Sequence, residues 1–330
     1  MPVNVLVTMP WSDALIERLR QVSPDLNVQR AKADEADYSE VEVIYGTSTP
    51  DLAKAPKLKW VAFHFAGMDA LYSHPVYKTD IMLTTSSGTH GTAVGQFAVV
   101  MLLSLAYKVP DFMRWQAGGV WPNGDQRRSL LPVPVRGATI GILGYGSIGR
   151  EVARLLKPFG PRIVVTKRDI TQRADTGYHK PGMGDPDGLL PDEWIPIDRL
   201  HDFLAQSDYV VNCLPYTPAT DKLLNAAALA VMKPTSFLIN IGRGTTIDQP
   251  ALVDALKHRR IAGAALDVFE PEPLPQGDPV YGLDNVILSP HLSGFMPGFD
   301  VQATELFAEN LGRYLKGQPL YNLVDRAIGY

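Results

Sequence analysis

The sequence predicts an α/β protein whose strands lie in parallel sheets shared between two domains. Three observations carry this. Apolar strand candidates alternate with helical segments, once from Val3 and again from Ala138, and such alternation builds parallel sheets covered on both faces. At 330 residues the chain exceeds what one core ordinarily serves. The stretch Thr139–Gly160, TIGILGYGSIGREVARLLKPFG, is an apolar run, three spaced glycines and a helical pattern in direct succession.

In order, Val3–Val7 reads as a buried strand and Ser12–Val22 as a helix opened by a serine cap. Val41–Ile44, Trp60–Phe63 and Ile81–Thr84 are further strands. Thr92 to Tyr107 is nearly uncharged and has no breaker after Gly95, so it predicts a buried helix packed between domains. Pro110–Arg136 contains Trp115, Trp121, Gly118, Gly119, Pro122 and Gly124, and reads as a surface arm with a share in a subunit contact. The second series has strands at Thr139–Leu143, Ile163–Val165, Tyr209–Leu214, Phe237–Ile241, Ala262–Leu266 and Val286–Leu288. Ile170–Pro196, rich in Gly, Pro and Asp and without a period, reads as an inserted loop. The last helix spans about Phe299–Lys316, with Ala303, Leu306, Phe307, Leu311, Tyr314 and Leu315 on one stripe.

Composition narrows the partners. With 45% hydrophobic and 20% charged residues the chain is of ordinary globular type. A net charge of −4 and no basic patch argue against nucleic acid. Cys213 is the single cysteine, which excludes an internal disulfide and fits a reducing compartment. The start, MPVNVLVTMPW, lacks the form of a secretory signal, and no run approaches the roughly 18 apolar residues of a membrane span. The expectation is a cytoplasmic protein.

The glycines acquire roles from their setting. Gly144 permits the tight turn, Gly146 lets backbone approach a pyrophosphate, and Gly149 lets the helix sit close to its strand. The helix presents Ile148, Val152, Leu155, Leu156 and Phe159 on one face, and its unpaired N–H groups would face the anion. A ligand-free strand–helix turn is the alternative. The following strand ends in Lys167 and Arg168, where a cationic pair attracts a ribose 2′-phosphate, so NADP(H) is favoured over NAD(H). In the competing reading Asp169 accepts the ribose hydroxyl and the two cations are solvated.

Three later segments each follow a strand candidate: INIGRG (239–244), ALDVFEPEPLP (265–275) and SPHLSG (289–294). Loops after the carboxyl ends of parallel strands line the ligand crevice, so Arg243, Glu272 and His291 can meet there. Together they suit reduction of a 2-keto acid. A histidine exchanges protons near neutrality, a neighbouring carboxylate favours its imidazolium form, and an arginine fork matches a carboxylate beside a carbonyl. Taken singly each has a plainer reading, as a structural histidine, a loop ion-pair partner and a loop carboxylate with Glu270 as competitor. Cys213 reads as packing, and His64, His90, His179, His201 and His258 show no metal-ligand spacing, so no metal is expected.

These segments, with FAGMD (65–69), TAVGQFAV, GYGSIG and CLPYTPAT (213–220), resemble the D-isomer-specific 2-hydroxyacid dehydrogenase family over nearly the whole chain. The resemblance implies two Rossmann-like domains, a doubly wound nucleotide domain at 109–298 inserted in a smaller flavodoxin-like substrate domain at 1–108 and 299–330. It implies an NAD(P)-dependent oxidoreductase, with hydride passing between nicotinamide C4 and C2 of a small 2-keto or 2-hydroxy acid. Arg243 would bind the substrate's carboxylate and carbonyl, His291 would be the acid/base and Glu272 would orient it. Backbone at Ala66, Gly67 and Met68 would hold the carboxylate, with Phe65, Met68 and Phe295 as an apolar wall. Cofactor contacts are expected from Gly144, Tyr145, Gly146, Ser147, Ile148, Gly149, Lys167, Arg168, Leu214, Pro215, Thr220, Ile241, Asp267, Ser293 and Gly294. A homodimer is implied, with domains that close on a hinge. Gln96 stands where many relatives carry an acid, and Glu272 stands where formate-oxidising relatives carry glutamine. Two alternatives stay open: a dinucleotide-sensing, corepressor-like interaction protein, and oxidation of formate or a similar anion.

Overall fold

The computed structural model describes residues 2–330. They form two compact units, one of residues up to His90 with Thr176–Lys180 and Met296–Tyr330, the other of Gly91–Asp175 and Pro181–Phe295. The first unit begins with β1 (Val3–Val7), α1 (Asp13–Arg20), β2 (Leu26–Arg30), β3 (Val43–Gly46), β4 (Trp60–Phe63) and β5 (Met82–Thr84). These strands pair in parallel in the order β2-β1-β3-β4-β5, the flavodoxin-like arrangement. Alternate residues serve opposite faces. Val5, Val7, Trp60 and Ala62 pack with α1 and the carboxyl-terminal helix, while Leu6, Ile44, Val61 and Phe63 pack with Tyr38, Leu58 and Val76.

The second unit continues with α2 (Gly91–Ala106), α3 (Val109–Gly118), α4 (Gly124–Ser129), β6 (Thr139–Leu143), α5 (Ser147–Leu156), β7 (Arg162–Lys167) and β8 (Glu193–Pro196). Then follow α6 (Leu200–Gln206), β9 (Tyr209–Asn212), α7 (Ala226–Ala230), β10 (Phe237–Asn240), α8 (Gln249–Lys257), β11 (Gly263–Leu266) and β12 (Val286–Leu288). The chain returns to the first unit for α9 (Phe299–Leu315). All seven strands of the second sheet are parallel, in the order β12-β11-β10-β9-β6-β7-β8. The chain therefore starts at β6, winds outward through β7 and β8, and returns to the other side at β9. That is the doubly wound Rossmann pattern, with its topological switch between β6 and β9. Ile140, Ile142, Val165, Val211 and Ile239 face α2 and α5, and Val164, Val210 and Leu238 face α6, α7 and α8.

The structure differs from the sequence reading in five places. The first boundary between units falls at His90 rather than after Lys108, because the apolar residues of α2 pack on α5; a Cβ at Gly95 would meet the Glu151 side chain. The return to the first unit likewise comes at Met296 rather than Phe299. The arm at 110–136 carries two helices, and α4 is opened by an Asn123–Gln126 capping box. Phe159 lies past the end of α5 and is exposed. β2 was not anticipated: it is an edge strand whose alternating LNVQR offers only two apolar residues.

Ile170–Pro196 is more ordered than an insertion. Its last four residues form β8, pairing with β7, and Thr176–Lys180 belongs to the first unit. The remainder is pinned by Arg150, the residue after the last cradle glycine. Arg150 is buried, donates to the Asp185 carbonyl and, at 2.6 Å, to the Arg173 carbonyl, and lies over the Tyr145 ring. Tyr145 donates to Asp185 Oδ2 at 2.7 Å, and the same carboxylate caps the N–H groups of Leu189 and Leu190. Removing one partner of a buried charged network leaves the others unsatisfied, at a cost of about 3–5 kcal/mol. Arg150→Leu should therefore lower the melting temperature and speed tryptic cleavage at Arg173 and Lys180. An unchanged digestion pattern would mean that Arg150 does not hold the segment.

Candidate active site

β10, β11 and β12 lie side by side and run the same way, so the loops after them leave one edge of the sheet. Each strand, or the turn just beyond it, carries a side chain that ties its loop down. Asn240, buried at the end of β10, accepts from Gly242 N–H at 3.2 Å and donates to the Arg243 carbonyl at 3.3 Å. Thr246 donates to that same carbonyl at 2.6 Å. Asn212, at the end of β9, links the two by donating to Asn240 Oδ1 and Thr246 Oγ1, and accepts from Leu214 N–H. Arg243 is half-buried, and its Nη1 donates to the Gly242 carbonyl at 3.0 Å.

After β11, Asp267 is buried, and its carboxylate clasps the loop that follows β12. Oδ1 accepts from Ser289 Oγ at 2.7 Å and Leu292 N–H at 2.9 Å, and Oδ2 accepts from Ser293 N–H at 3.1 Å. The Asp267 carbonyl also accepts the His291 N–H at 2.9 Å. Between these anchors His291 adopts the left-handed backbone region, with φ 52°. Its Nδ1 lies 2.8 Å from Glu272 Oε2, while Glu272 Oε1 accepts the Phe269 N–H at 2.8 Å. A carboxylate only accepts, so Nδ1 carries the proton and Nε2 is left to exchange one. Glu270 instead donates its backbone N–H to Gln249. Of the two competing acids, Glu272 is the one on the histidine.

The glycine cradle passes a test of fit. Gly144 has φ 95°, and a Cβ there would press on the backbone of Cys213. A Cβ on Gly149 would overlap the Gly144 carbonyl, so strand and helix touch only because this residue is glycine. A Cβ on Gly146 would meet no protein atom, and no side chain caps α5 there. Room and free N–H groups coincide, as a pyrophosphate requires. Ser147 and Ile148 are half-buried in the first turn of α5, but the Tyr145 side chain is turned into the core and offers only backbone to a ligand. Leu214 and Pro215 start the loop after β9, which Thr220 Oγ1 closes by donating to the Pro215 carbonyl at 2.8 Å. Ile241 and Ser293 are buried, and Gly294 is half-buried.

At the end of β7, Lys167 donates to the Gln172 carbonyl at 2.8 Å, and burial with the nearby Arg150 lowers its pKa. Arg168 is exposed. The Asp169 carboxylate is occupied locally, accepting from Thr171 N–H at 2.9 Å and Thr171 Oγ1 at 2.6 Å, and these bonds lower its pKa. The Cys213 thiol is pushed up by burial, as suits a packing residue.

In the first unit, Ala66 and Gly67 are half-buried in the turn after β4. Met68 is buried in the core and Phe65 stacks on Phe63, so these two are held as packing, whereas Phe295 of the second unit is 78% exposed. Asn212, Asn240 and Thr246 escaped the sequence reading. The signal was present in VVN and LIN, each ending a strand in a buried amide, with Asp267 one residue past the matching end of β11. Among the described residues no group of His, Cys, Asp and Glu could hold a metal ion. No single described helix is long and apolar enough to cross a membrane.

Residues 99–293 match the family described as D-isomer specific 2-hydroxyacid dehydrogenase, NAD binding domain. A glyoxylate reductase of Korarchaeum cryptofilum (strain OPF8) is 35% identical over 83% of this chain and 78% of its own length. A D-isomer specific 2-hydroxyacid dehydrogenase from Xanthobacter autotrophicus Py2, solved with NADPH and MES, is 30% identical with a TM-score of 0.82 over 100% of both chains. An NADPH-dependent glyoxylate/hydroxypyruvate reductase from Sinorhizobium meliloti, solved with NADP and sulfate, is 26% identical with a TM-score of 0.80 over 99% of this chain and 100% of that one.

The bond from Glu272 to His291 has a spectroscopic consequence. Glu272→Gln leaves an amide whose oxygen remains drawn to the Phe269 N–H, so its NH₂ group faces the imidazole. Nδ1 must then accept, and the neutral ring should change from the Nδ1–H to the Nε2–H tautomer. Nitrogen-15 NMR of the labelled imidazole reads this directly; an Nε2–H ring already present in the unmodified protein would contradict the assignment.

Proposed function

Because the chain belongs to the D-isomer-specific 2-hydroxyacid dehydrogenase family and is an NAD(P)-dependent oxidoreductase of 2-hydroxy acids, we propose that it reduces a small 2-keto acid of glyoxylate or hydroxypyruvate type with NADPH. The observation that carries this reading is the His291–Glu272 pair, held at 2.8 Å on the strand edge from which Arg243 also emerges. The chemistry supplied by a bound nicotinamide dinucleotide is hydride delivery to the carbonyl carbon, C2 of the acid. Starting as the imidazolium, His291 gives its Nε2 proton to the carbonyl oxygen as charge develops there. It is left as the Nδ1–H ring, whose hydrogen bond Glu272 accepts and so keeps the imidazole in line. Arg243 steadies the carboxylate and the growing negative charge, a type of contribution worth about 3–4 kcal/mol for one donor. Ala66, Gly67 and Met68 supply backbone N–H groups to the carboxylate.

Preference for NADPH is supported by the chain's own charges. Lys167 and Arg168 stand at the end of β7, while Asp169 turns one carboxylate oxygen, Oδ1, to Thr171. The two structural relatives bound to NADPH or NADP are consistent with this. We extend the reading to a cytoplasmic homodimer. A single unpaired cysteine supports the compartment. Exposed Met113, Val120, Trp121 and Leu131 on the arm support burial against a second copy.

The deciding experiment follows absorbance at 340 nm with NADPH, then NADH, across 2-keto acids of increasing side-chain size. Turnover of glyoxylate or hydroxypyruvate with NADPH is expected; none across the series would refute the reading. His291→Ala should reduce kcat by about 10²–10⁴-fold while NADPH affinity stays within about twofold. Neutralising Lys167 and Arg168 together should weaken NADPH by at least about tenfold and leave NADH nearly unchanged, one decade being the scale of a lost charge-assisted contact. Equal losses for both cofactors would remove the argument for the phosphate.

A further inference from the structure

The first unit holds a polar cluster, partly buried, that the proposed chemistry does not use, at the carboxyl ends of β3, β4 and β5. His64 is the first residue after β4 and directly precedes Phe65–Asp69. Its Nδ1 lies 3.0 Å from the Tyr45 hydroxyl, and its Nε2 lies 3.5 Å from Asp300 Oδ1. The Tyr45 hydroxyl is in turn 3.3 Å from Ser86 Oγ. Ser86 grips the backbone on either side of His64, its Oγ donating to the Phe63 carbonyl at 2.8 Å and its N–H to the Phe65 carbonyl at 3.0 Å. The imidazole is also packed edge-on against Phe299, at 4.8 Å between ring centres, and the Phe299 ring centre lies 4.3 Å from that of His90.

The position in the chain gives the cluster its meaning. His90 is where the chain leaves this unit, and Phe299 with Asp300 open α9 just after its return. One side chain, His64, thus joins the segment proposed to hold the carboxylate to both ends of the chain's excursion. A backbone anion site works only when its N–H groups are held to about 0.5 Å, and that precision comes from the layer behind them. Tyr45 and Ser86 are almost wholly buried, and a buried polar network with its bonds made fixes a single arrangement where apolar packing would tolerate several.

We propose that His64 is a positioning residue: its hydrogen bond to Tyr45, with Asp300 close to its other ring nitrogen, sets the backbone of Ala66–Met68 for the substrate carboxylate. Burial lowers the His64 pKa and Asp300 partly opposes that, which agrees with a neutral ring accepting from or donating to Tyr45 near neutrality. The proposal rests on the keto-acid reading above, so its test separates the two.

Kinetics of the full-length protein would be compared with His64→Phe, His64→Asn and Tyr45→Phe. Phenylalanine keeps the ring against Phe299 and removes both polar links. His64→Phe should raise KM for the keto acid by at least about tenfold, the scale of one lost buried hydrogen bond, while kcat and NADPH dissociation change by less than about twofold. His64→Asn, whose amide can reach Tyr45 but not Asp300, should restore part of the loss. Tyr45→Phe should reproduce a smaller rise in KM, which guards against a misfolded His64→Phe. An unchanged KM in all three variants would overturn the role of His64 and leave the enzyme reading intact. So would kcat, KM and melting temperature worsening together without rescue. An unmodified protein inactive on every keto acid would overturn both.

Discussion

The carboxylate of Asp267 is the constraint on which the second unit's site depends. It stands one residue past β11 and spends both oxygens on the loop after β12, so two neighbouring strands are locked at their carboxyl ends. The register of the sheet alone could not do this, because pairing stops at Leu266 and Leu288. Beyond that point only side chains can fix the course of the backbone. With Ser289, Leu292 and Ser293 held, His291 has one place to go, and Glu272 meets it there.

The same device recurs along both sheets. Asn212 and Asn240 end β9 and β10 and knot the Leu214 and Arg243 loops together; Ser86 and Tyr45 serve the turn after β4. These groups are buried, and an unpaired buried amide or carboxylate costs more than a made hydrogen bond returns. The loops are therefore held because release would strand polar atoms in an apolar setting. A doubly wound sheet brings many loops to one edge, and the strand-end side chains turn that gathering into fixed geometry.

This logic explains what could be read from the sequence and what could not. Val3–Val7, Trp60–Phe63, Thr139–Leu143 and Val286–Leu288 were legible to the residue, since an apolar run bounded by polar residues has one sensible reading. The glycines of the cradle were legible because their spacing meets three separate steric needs. β2 and β8 were not: LNVQR and EWIP are edge strands of mixed composition, with no apolar run to mark them. The Arg150 anchor was hidden for another reason. An arginine in an amphipathic helix reads as surface, and only the folded loop shows it buried beneath Asp185. Asp267 is expected on resemblance to lie near the nicotinamide; that its carboxylate also clasps Ser289, Leu292 and Ser293 is a role no single-sequence pattern discloses.

Magnitudes argue that the His291–Glu272 pair is not there for stability. With side chains 47% and 34% exposed, an ion pair of this kind contributes about 0–1 kcal/mol. Holding His291 at positive φ costs about 1–3 kcal/mol, and the Asp267 clasp is what allows the fold to bear it. A protein that only sensed dinucleotides would need the glycine cradle and the charges beyond β7, and could relax this loop at a gain. Strain kept beside an accessible imidazole with its proton fixed on Nδ1 is the mark of a group whose other nitrogen has work to do. The acid–base role proposed for Nε2 would account for the arrangement, and packing alone does not.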